Sequence, residues 1–227
     1  MLHHEVPWEH KIDEITEKRV LYLCDINPED DNSQITLLDY GCGTGRYLEV
    51  FARHLAKNNL FGTEITGDLV DEVRGKEFNC IHLNGPEDKL PFKNEFFNIV
   101  FSSNVMEHIP KEHYFNYLLE IHRVLKEGGR FVLGTPNYPI KRFYDVLKAF
   151  KTGMYKYYLF DDRSHCNKLS IHILENDLIK YFDEVHLEPS YILFESRFKL
   201  LEDPKIRAKL RSFGDKVVGY CLKKSKH

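Results

Sequence analysis

The stretch LLDYGCGTG, residues 37–45, decides the fold. It places Gly41, Gly43 and Gly45 at alternating positions between a short apolar run and a helical pattern. Glycine adopts positive φ readily and lets backbone N–H groups approach a ligand, because no Cβ stands in the way. A strand-to-helix turn alone needs only one or two glycines. Three of them, with Asp39 just before, therefore indicate a loop that cradles a nucleotide-like molecule.

The spacing of these glycines narrows the choice of ligand. G-x-G-x-G differs from the G-x-G-x-x-G of dinucleotide folds, whose helix N-terminus binds a pyrophosphate. Glu64 ends the second predicted strand, where a carboxylate accepts hydrogen bonds from both ribose hydroxyls of an adenosine. The predicted ligand is an adenosine without a diphosphate, and a nicotinamide oxidoreductase is disfavoured. Alternatively, Glu64 only caps the helix that starts near Thr66.

The chain around the loop alternates β-rich apolar runs with helical stretches between residues 35 and 137. This pattern is typical of βαβ units that build a parallel sheet. Two further runs near the end of the sequence are predicted to close the sheet. The predicted strands are ITLLDY, NLFGTEI, FNCIHL, FFNIVFSS, GRFVLGTP, EVHLEPSYIL and KVVGYCLKK.

Helical periodicity marks the elements that cover this sheet. HKIDEITEKRVLYLCDIN predicts an amphipathic helix before the first strand, and SIHILENDLIKYF predicts another after the fifth, with Ser170 as its N-cap. HYFNYLLEIHRVLK predicts a third helix, which Gly128 and Gly129 end. The predicted buried face of this third helix consists of Phe115, Leu118, Leu119, His122 and Leu125.

Composition excludes several classes of protein. The 227 residues are 42% hydrophobic and 30% charged, enough for one good-sized core, and a formal charge of −3 gives no global field for gripping nucleic acid. No apolar run approaches the roughly 20 residues that cross a bilayer, and the start MLHHEVPWEHKIDE lacks the features of a signal peptide. The five cysteines are scattered and never spaced C-x-x-C, which predicts reduced thiols. We expect a soluble, cytoplasmic protein.

Three longer landmarks carry a family resemblance: LLDYGCGTGRYLEVF, EDKLPFKNEFFNIVFSSNVMEHI and EIHRVLKEGGRFVLGTPN. With Glu64 between the first two, they resemble the class I S-adenosylmethionine (SAM) dependent methyltransferases, especially the broad group that contains the quinone-biosynthesis enzymes. The resemblance covers residues 35–139. It implies a Rossmann-like α/β fold with a seven-stranded, mostly parallel sheet, helices on both faces and an antiparallel last strand. It also implies SAM as the cofactor.

The resemblance assigns roles to the glycine loop. The loop would lie against the methionine part of SAM through Gly41, Gly43 and Gly45, with Asp39 near its ammonium group. Glu64 would bind the ribose. The loop residues Cys42 and Thr44 complete the implied contact set.

Two later segments complete the implied cofactor site. The family's usual Asp-Ala pair ahead of the Leu-Pro-Phe element is missing, so the residue that meets the adenine amine stays open among Asn84, Glu87 and Asp88. Ser103 and Asn104, just past the fourth strand, match positions whose backbone usually touches the methionine end of SAM.

Two of the twelve histidines fall where the cleft should lie, outside the carboxyl ends of the strands. A hydroxyl or phenol acceptor would use a general base of near-neutral pKa, and His108 and His165 are the candidates. DDRSHCNKLS, which contains His165, resembles an Asp-x-x-His-x-x-x-x-Ser/Thr element that often lines the acceptor side. The structural alternatives are that His108 satisfies backbone donors or packs on the sheet, and that Asp162 and His165 form a local turn.

The same region bears on metals and on other acceptors. In quinone O-methyltransferases a Glu-x-x-Glu-His element around His108 is associated with a divalent metal, but the first Glu is Asn104 here. Losing one carboxylate weakens a site for a hard cation, so no metal is predicted. Residues 103–106 also lack the Asn/Asp-Pro-Pro-Tyr/Phe element of base and amide N-methyltransferases and the Pro-Cys nucleophile of pyrimidine C5 enzymes, which disfavours both chemistries.

Residues 140–160 form an insertion longer than a bare connection between a strand and a helix. One interpretation is a surface helix packed on the domain with solvated lysines. The functional interpretations are, in order of preference, a lid over an aromatic or anionic acceptor, a surface that contacts an anionic membrane holding a lipid substrate, and an RNA contact. Its predicted apolar positions are Ile140, Phe143, Tyr144, Leu147 and Phe150, and its predicted basic edge is Lys141, Arg142, Lys148 and Lys151.

The predicted function is methyl transfer from SAM to a small-molecule or lipid-like acceptor, preferably at oxygen. The alternatives are an RNA methyltransferase acting on tRNA and a catalytically inactive SAM-binding regulator. The sequence does not predict the oligomeric state. We expect a single domain over residues 1–227, with an N-terminal helical extension (1–34), a SAM-binding core (35–139), the insertion (140–168), and C-terminal helices and closing strands (169–227).

Overall fold

The computed structural model of the chain describes residues 12–160, 162–190 and 204–224. Its strands are β1 (Leu37–Tyr40), β2 (Leu60–Glu64), β3 (Asn79–His82), β4 (Phe97–Ser103), β5 (Leu125–Pro136), β6 (Glu184–Pro189) and β7 (Lys216–Leu222). All seven belong to one sheet, with the order β3-β2-β1-β4-β5-β7-β6.

The pairing directions confirm the predicted architecture. The five strands from β1 to β5 pair in parallel, whereas β7 runs antiparallel to both of its neighbours, β5 and β6. Because the strand order reverses between β1 and β4, the loops that follow these two strands diverge and open a crevice at the carboxyl edge. The last three residues of the predicted sixth strand, 191–193, lie outside the described residues.

Helices cover both faces of the sheet. Ser170 caps the predicted helix after β5, since its Oγ accepts a hydrogen bond from the N–H of Ile173 at 3.3 Å. Among the described residues no helix is both long and apolar enough to cross a membrane. The helices are α1 (Glu14–Cys24), α2 (Arg46–Phe51), α3 (Gly67–Gly75), α4 (Lys111–Val124), α5 (Ile140–Thr152), α6 (Tyr155–Tyr158), α7 (Ile171–Leu178) and α8 (Pro204–Lys209).

Alternating strand residues divide the core into two layers. On β1, Leu37 packs with α1, α2 and α3 on one face, while its neighbour Leu38 packs with α4 and α7 on the other. Val132 and Phe131 on β5 divide in the same way. This period of two is what a strand buried on both faces requires, and it fixes the sheet as the middle of three layers.

The predicted buried face of α4 is partly wrong: Leu118 and Leu125 are buried as predicted, although Leu125 already belongs to β5. Phe115 and Leu119 are 41% and 50% exposed, whereas Tyr117 and Ile121 are buried together with the correctly predicted Leu118. The helix also ends at Val124, ahead of the two glycines predicted to stop it, because β5 already begins at the next residue. Strand pairing with β4, and not glycine, ends this helix.

The insertion forms α5 and α6, and its predicted division into an apolar side and a basic side does not hold. Phe143 and Phe150 are 57% and 67% exposed, so the predicted apolar positions do not form a buried face. Three residues of the predicted basic edge, Lys141, Lys148 and Lys151, instead line a cavity between α5 and the sheet.

Candidate active site

The glycine loop connects β1 to α2 at the carboxyl edge of the sheet. Gly41, Gly43 and Gly45 have φ values of 73°, 54° and 80°, in the left-handed region that favours glycine. The N–H groups of Gly41 and Cys42 both donate to the carbonyl of Thr63 at 2.9 Å, which holds the loop against β2. The sequence therefore uses glycine here for a conformation that other residues adopt only with strain.

The surroundings of these glycines differ, and the difference locates the open side of the loop. A Cβ at Gly41 would lie 2.5 Å from Cγ2 of Val105, whereas a Cβ at Gly43 would have no atom within 4 Å. The thiol of Cys42 points into the core, 3.8 Å from Sγ of Cys80. Thr44 offers its carbonyl to Nζ of Lys76 at 2.8 Å. The space above Gly43 is thus where a ligand can approach the backbone.

Asp39 is buried beside this loop. Its side chain lies on β1 with 2% exposure, and Oδ2 has no hydrogen-bond partner among the described residues. Burial, followed by repulsion from Glu64 and Cys80, raises the pKa of Asp39 to about 8. An unpartnered buried carboxylate is costly, so its presence points to a cationic group that this position is built to receive.

Glu64 bridges the loop and the following helix. Oε2 accepts from the N–H of Gly43 at 3.0 Å, while Oε1 accepts from Ile65 and Thr66 at 2.9 and 3.0 Å. The two sequence interpretations of Glu64 therefore do not exclude each other. The carboxylate does satisfy backbone donors at the entrance to α3, and it also reaches the glycine loop.

The third segment of the implied site follows β3. The N–H of Leu83 donates to the carbonyl of Glu64 at 3.0 Å, which brings this segment next to the glycine loop. Oδ2 of Asp88 accepts from the backbone N–H and the side-chain Nδ2 of Asn84 at 2.7 and 3.0 Å. Glu87 is exposed. Asp88 and Asn84 thus shape the turn together, while the carboxylate of Glu87 lies against Gly85.

The end of β4 supplies the fourth segment. Asn104 adopts a φ of 58°, and its N–H donates to the carbonyl of Gly134 on β5 at 2.7 Å. Oγ of Ser103 accepts a hydrogen bond from Nζ of Lys216 at 3.3 Å. Lys216 begins β7, so the start of this antiparallel strand meets the carboxyl end of β4 at this edge. Sequence reasoning missed Lys216, because nothing local distinguishes it from other strand-end lysines.

The two candidate histidines lie side by side. The rings of His108 and His165 are 4.8 Å apart in an edge-to-face arrangement. Nδ1 of His165 is 2.6 Å from the hydroxyl of Tyr138, and its Nε2 is 3.8 Å from Oδ2 of Asp162. Nδ1 of His108 lies 3.3 Å from the carbonyl of Ser164.

The local turn proposed for His165 is also present. Its N–H donates to the carbonyl of Asp162 at 3.1 Å, and Oδ1 of Asp162 accepts from the N–H and the hydroxyl of Ser164. Asp162 is thus the aspartate of the predicted Asp-x-x-His element. Asp161, the first residue of the segment DDRSHCNKLS, lies outside the described residues. The turn and the contact with Tyr138 together fix the orientation of the imidazole.

Glu107 is the second functional candidate that the sequence did not identify. It is 1% exposed, and its Oε2 accepts from the hydroxyl of Thr135 on β5 at 3.0 Å. Burial raises the pKa of Glu107, whereas His108, Thr135 and Lys216 act in the opposite direction. The adjacent glutamate and histidine were visible in the sequence, but the partners from β5 and β7 were not.

A cation could be held here. The ligand atoms of Glu107, His108 and His165 all lie within 4.8 Å of one another. One carboxylate with two imidazoles is a donor set suited to a transition metal or zinc more than to magnesium. That no metal is needed stays a prediction from the sequence.

The buried Oδ2 of Asp39 and the open space at Gly43 fit a SAM molecule. Its ammonium group would neutralise Asp39, and its ribose would compete with Gly43 for the carboxylate of Glu64. The fit concerns chemistry and available space at the carboxyl edge of β1 and β2.

Comparisons with known proteins agree with this geometry. Residues 38–133 match a family model described as a methyltransferase domain. The chain is 29% identical over 99 residues, 44% of its length, to a malonyl-[acyl-carrier protein] O-methyltransferase of Herminiimonas arsenicoxydans. It is 30% identical over 109 residues, 46% of its length, to a probable tRNA methyltransferase 9B of Mus musculus. The matches cover only 36% and 22% of these two relatives.

A solved structure extends the likeness to the whole fold. The crystal structure of a SAM-dependent methyltransferase from Archaeoglobus fulgidus superposes with a TM-score of 0.63 and 17% identity, over 92% of this chain and 93% of that one. The glycine loop, the sheet order and the methyltransferase-domain match over residues 38–133 point the same way. Together they support a class I SAM-dependent methyltransferase, with SAM as the implied cofactor.

Proposed function

We propose that this chain transfers the methyl group of SAM to an oxygen atom of a small or lipid-like acceptor. The observation that carries the proposal is the unpartnered, buried carboxylate of Asp39 beside a loop of three left-handed glycines. The ammonium group of an amino acid moiety would stabilise the ionised form of Asp39, whereas a pyrophosphate would be repelled by the ionised form and would favour the protonated one. This pairing favours SAM over a nicotinamide dinucleotide.

Methyl transfer from SAM is an in-line displacement at an electrophilic methyl group on a sulfonium, and it needs no covalent intermediate with the enzyme. The chain must align the acceptor, exclude water and receive a proton. As the new carbon–oxygen bond forms, the proton of an acceptor hydroxyl would pass to Nε2 of His165. Charge is conserved, because the methyl carbon–sulfur bond breaks with its electron pair left on sulfur.

The contacts of His165 suit this role. If Nδ1–H donates to the oxygen of Tyr138, Nε2 is the ring nitrogen that would accept the proton. Asp162, 3.8 Å from Nε2, then stabilises the imidazolium. Tyr138 is a positioning residue in this scheme, because it selects the tautomer without touching the acceptor.

A second candidate function is RNA methylation. Two features support it: one relative is named a probable tRNA methyltransferase, and the insertion combines lysines with exposed aromatic rings such as Phe150 and Tyr155. The net charge of −3 and the inward placement of three lysines weigh against it. A catalytically inactive SAM-binding regulator remains the third candidate, since cofactor binding alone does not establish turnover.

The exposed side of the insertion supports contact with a membrane. Phe143, Phe150 and Phe160 are 57%, 67% and 76% exposed. Aromatic side chains at the boundary of a bilayer are well placed to hold a lipid acceptor near the site. Sedimentation with phosphatidylglycerol vesicles tests this contact, and the variant Phe150→Ser/Phe160→Ser should bind them more weakly than Phe213→Ser, an exposed phenylalanine outside the insertion.

The decisive experiment is calorimetric titration of the chain with SAM, its demethylated product and NAD. Binding of SAM and its product, with NAD inert, is the expected result. A methyl-release assay on separate pools of small acids, lipids and tRNA then distinguishes the three candidate functions. Absence of SAM binding by the folded chain, or NAD binding tighter than SAM, overturns the proposal.

A further inference from the structure

A cavity of about 590 Å³ lies between α5 and the ends of β5 and β7. It does not include the glycine loop, and the cofactor site described above does not account for it. Its walls combine apolar surface with charge. The lining residues that bear on its chemistry are Lys141, Tyr144, Lys148, Lys151, Asp215 and Lys216.

The lysines that line this cavity outnumber its acidic residues. Lys141 is paired with Asp145 at 2.5 Å, and Arg142 donates to the same carboxylate at 2.9 Å. Lys216 is influenced by the carboxylates of Glu107 and Asp215. These two groups of cations therefore have acidic neighbours within the molecule.

Lys148 and Lys151 are the surplus cations. Within the described ranges neither ammonium group forms a salt bridge: Lys148 lies over the ring of Tyr158, 5.3 Å from the ring centroid, and interacts electrostatically with Asp215. The four lysines of the lining still outnumber its two aspartates. Both lysines are exposed, so they lie at the open side of the cavity. Two neighbouring cations over a partly apolar cavity make a site that attracts an anion.

Helix α5 turns the side that carries its lysines toward the cavity. Lys141, Lys148 and Lys151 recur at the spacing that brings residues to one side of an α-helix. This side faces the cavity, while Phe143 and Phe150 face outward. An amphipathic helix that only covers a core would place these groups the other way round. The lysines that line the cavity, two of them exposed at its open side, thus match a ligand better than they match packing.

The cavity adjoins the candidate active site through Lys216. Its Nζ lies 3.3 Å from Oγ of Ser103, at the end of β4 where the methionine part of SAM is expected. An anionic group held by Lys148 and Lys151 would therefore be anchored on the β5 and β7 side of the methyl-transfer point. The rest of the same molecule could reach that point.

We propose that this cavity binds a carboxylate or phosphate group of the methyl acceptor, with Lys148 and Lys151 as its anion-binding residues. The inference rests on the proposed function, because it names the substrate class of that site. Carboxylate and phosphate share the chemistry that the lysines recognise, and matched probes distinguish them.

The test is calorimetric titration with benzoate, phenyl phosphate and benzyl alcohol, in the presence of the demethylated product of SAM. The aromatic ring suits the side chain of Tyr144, and the three probes differ mainly in charge. The test variant is Lys148→Glu/Lys151→Glu. The control variant Lys93→Glu/Lys209→Glu changes net charge equally at two exposed lysines that do not line the cavity.

We expect at least one anionic probe to bind the unmodified chain more tightly than benzyl alcohol. This affinity should fall about tenfold or more in the test variant and change less than about twofold in the control. Tighter binding of phenyl phosphate identifies phosphate as the preferred group, and tighter binding of benzoate identifies carboxylate. Equal binding of benzyl alcohol, no binding of any probe, or equal losses in the two variants overturns the inference.

Titration with SAM separates this result from a failure of the proposed function. Both double variants should bind SAM as the unmodified chain does, which also shows that they are folded. If the unmodified chain binds SAM and the probes give any of the overturning results, only the anion site is wrong. If the folded chain does not bind SAM, the proposed function is wrong whatever the probes show.

Discussion

Asp39 combines a structural cost with a predicted binding role. Burial raises its pKa from 3.8 to about 8, so at neutral pH the folded chain holds a proton that the unfolded chain has lost. The folded state therefore binds more protons than the unfolded state between these two pKa values. Over that range the free energy of unfolding contributed by Asp39 falls as the pH rises.

The variant Asp39→Asn should separate the two effects. Without the titrating carboxyl, the free energy of unfolding should decline less between pH 4 and pH 8, the interval set by the two pKa values, and the ligand-free chain should be more stable at pH 8. Affinity for SAM should fall about tenfold or more, because a charge-assisted contact is worth about 1.5–3 kcal/mol. Denaturant titrations at several pH values and calorimetry measure the two quantities.

Asp71→Asn is the control for this change, since its side chain is 82% exposed. It should leave both the pH profile and the affinity unaltered. Unchanged SAM binding by Asp39→Asn would remove Asp39 from the cofactor site.

His165 carries the second prediction at this scale. His165→Ala should lower kcat by about 10²- to 10⁴-fold, the usual contribution of a general base, with little effect on SAM affinity. Tyr138→Phe removes the hydroxyl that lies 2.6 Å from Nδ1 and should shift the pH profile of kcat with a smaller loss. His186→Ala, at an exposed position on β6, is the control. Equal turnover in His165→Ala and His186→Ala would assign His165 to the turn alone.

At the scale of elements, the glycine loop distinguishes binding from folding. In Gly43→Val the new side chain would occupy the open space above the loop, while the backbone would keep a positive φ that valine adopts only with strain. This variant should therefore bind SAM much more weakly, and its free energy of unfolding should fall by about 1–2 kcal/mol. Gly41→Ala should mainly destabilise, because its Cβ would lie 2.5 Å from Cγ2 of Val105. Gly75→Ala, with open space and no positive φ, should be neutral or stabilising.

Thermal unfolding and calorimetry of these three variants provide the measurement. A folded Gly43→Val chain with unaltered SAM affinity would show that the ligand does not approach this part of the loop.

The elements also show how far the sequence predicts the structure. All seven strands and the cap at Ser170 were predicted, because short apolar runs and capping chemistry act locally. The face of α4 was not, because its aromatic residues fit two stripes at helical spacing. The hydroxyl of Tyr117 is satisfied in the core by Ser102 at 2.9 Å, a partner that hydrophobicity alone does not reveal.

The candidate site was also predictable only in part. The glycine loop and Glu64 belong to contiguous motifs and were placed correctly next to each other. Glu107 and Lys216 acquire their surroundings only when β4, β5 and β7 meet, and the orientation of α5 depends on a cavity that tertiary packing creates. Local patterns do not encode such relations between distant residues.

At the scale of the whole molecule, Arg19 connects α1 to β6, the strand at one edge of the sheet. Its guanidinium donates to Oε1 of Glu188 at 2.8 Å and to the carbonyls of Pro189 and Ser190 at 3.0 and 2.7 Å. The side chain is only 28% exposed, so these contacts are partly shielded from water. They join residues far apart in the sequence into one unit.

Replacing Arg19 should therefore cost more than replacing its neighbour. Arg19→Met should lower the free energy of unfolding by about 1–3 kcal/mol, the cost of losing hydrogen bonds to a charged group. Lys18→Met should change it by less than about 0.5 kcal/mol, because that side chain is 74% exposed. Chemical denaturation of both variants measures the difference, and equal values would show that α1 is held by its apolar face alone.

The place of β7 between β5 and β6 has a consequence for the order of folding. β1 to β4 all lie within residues 37–103, but β5 ends at Pro136 and its neighbour β7 begins only at Lys216. Closing that long loop is slow compared with the local pairings. On the ribosome, the half that carries the glycine loop can assemble while β7 is still unmade. Because Asp215 and Lys216 arrive with β7, the wall of the acceptor cavity is completed last, and a nascent chain acquires its cofactor loop before its substrate cavity.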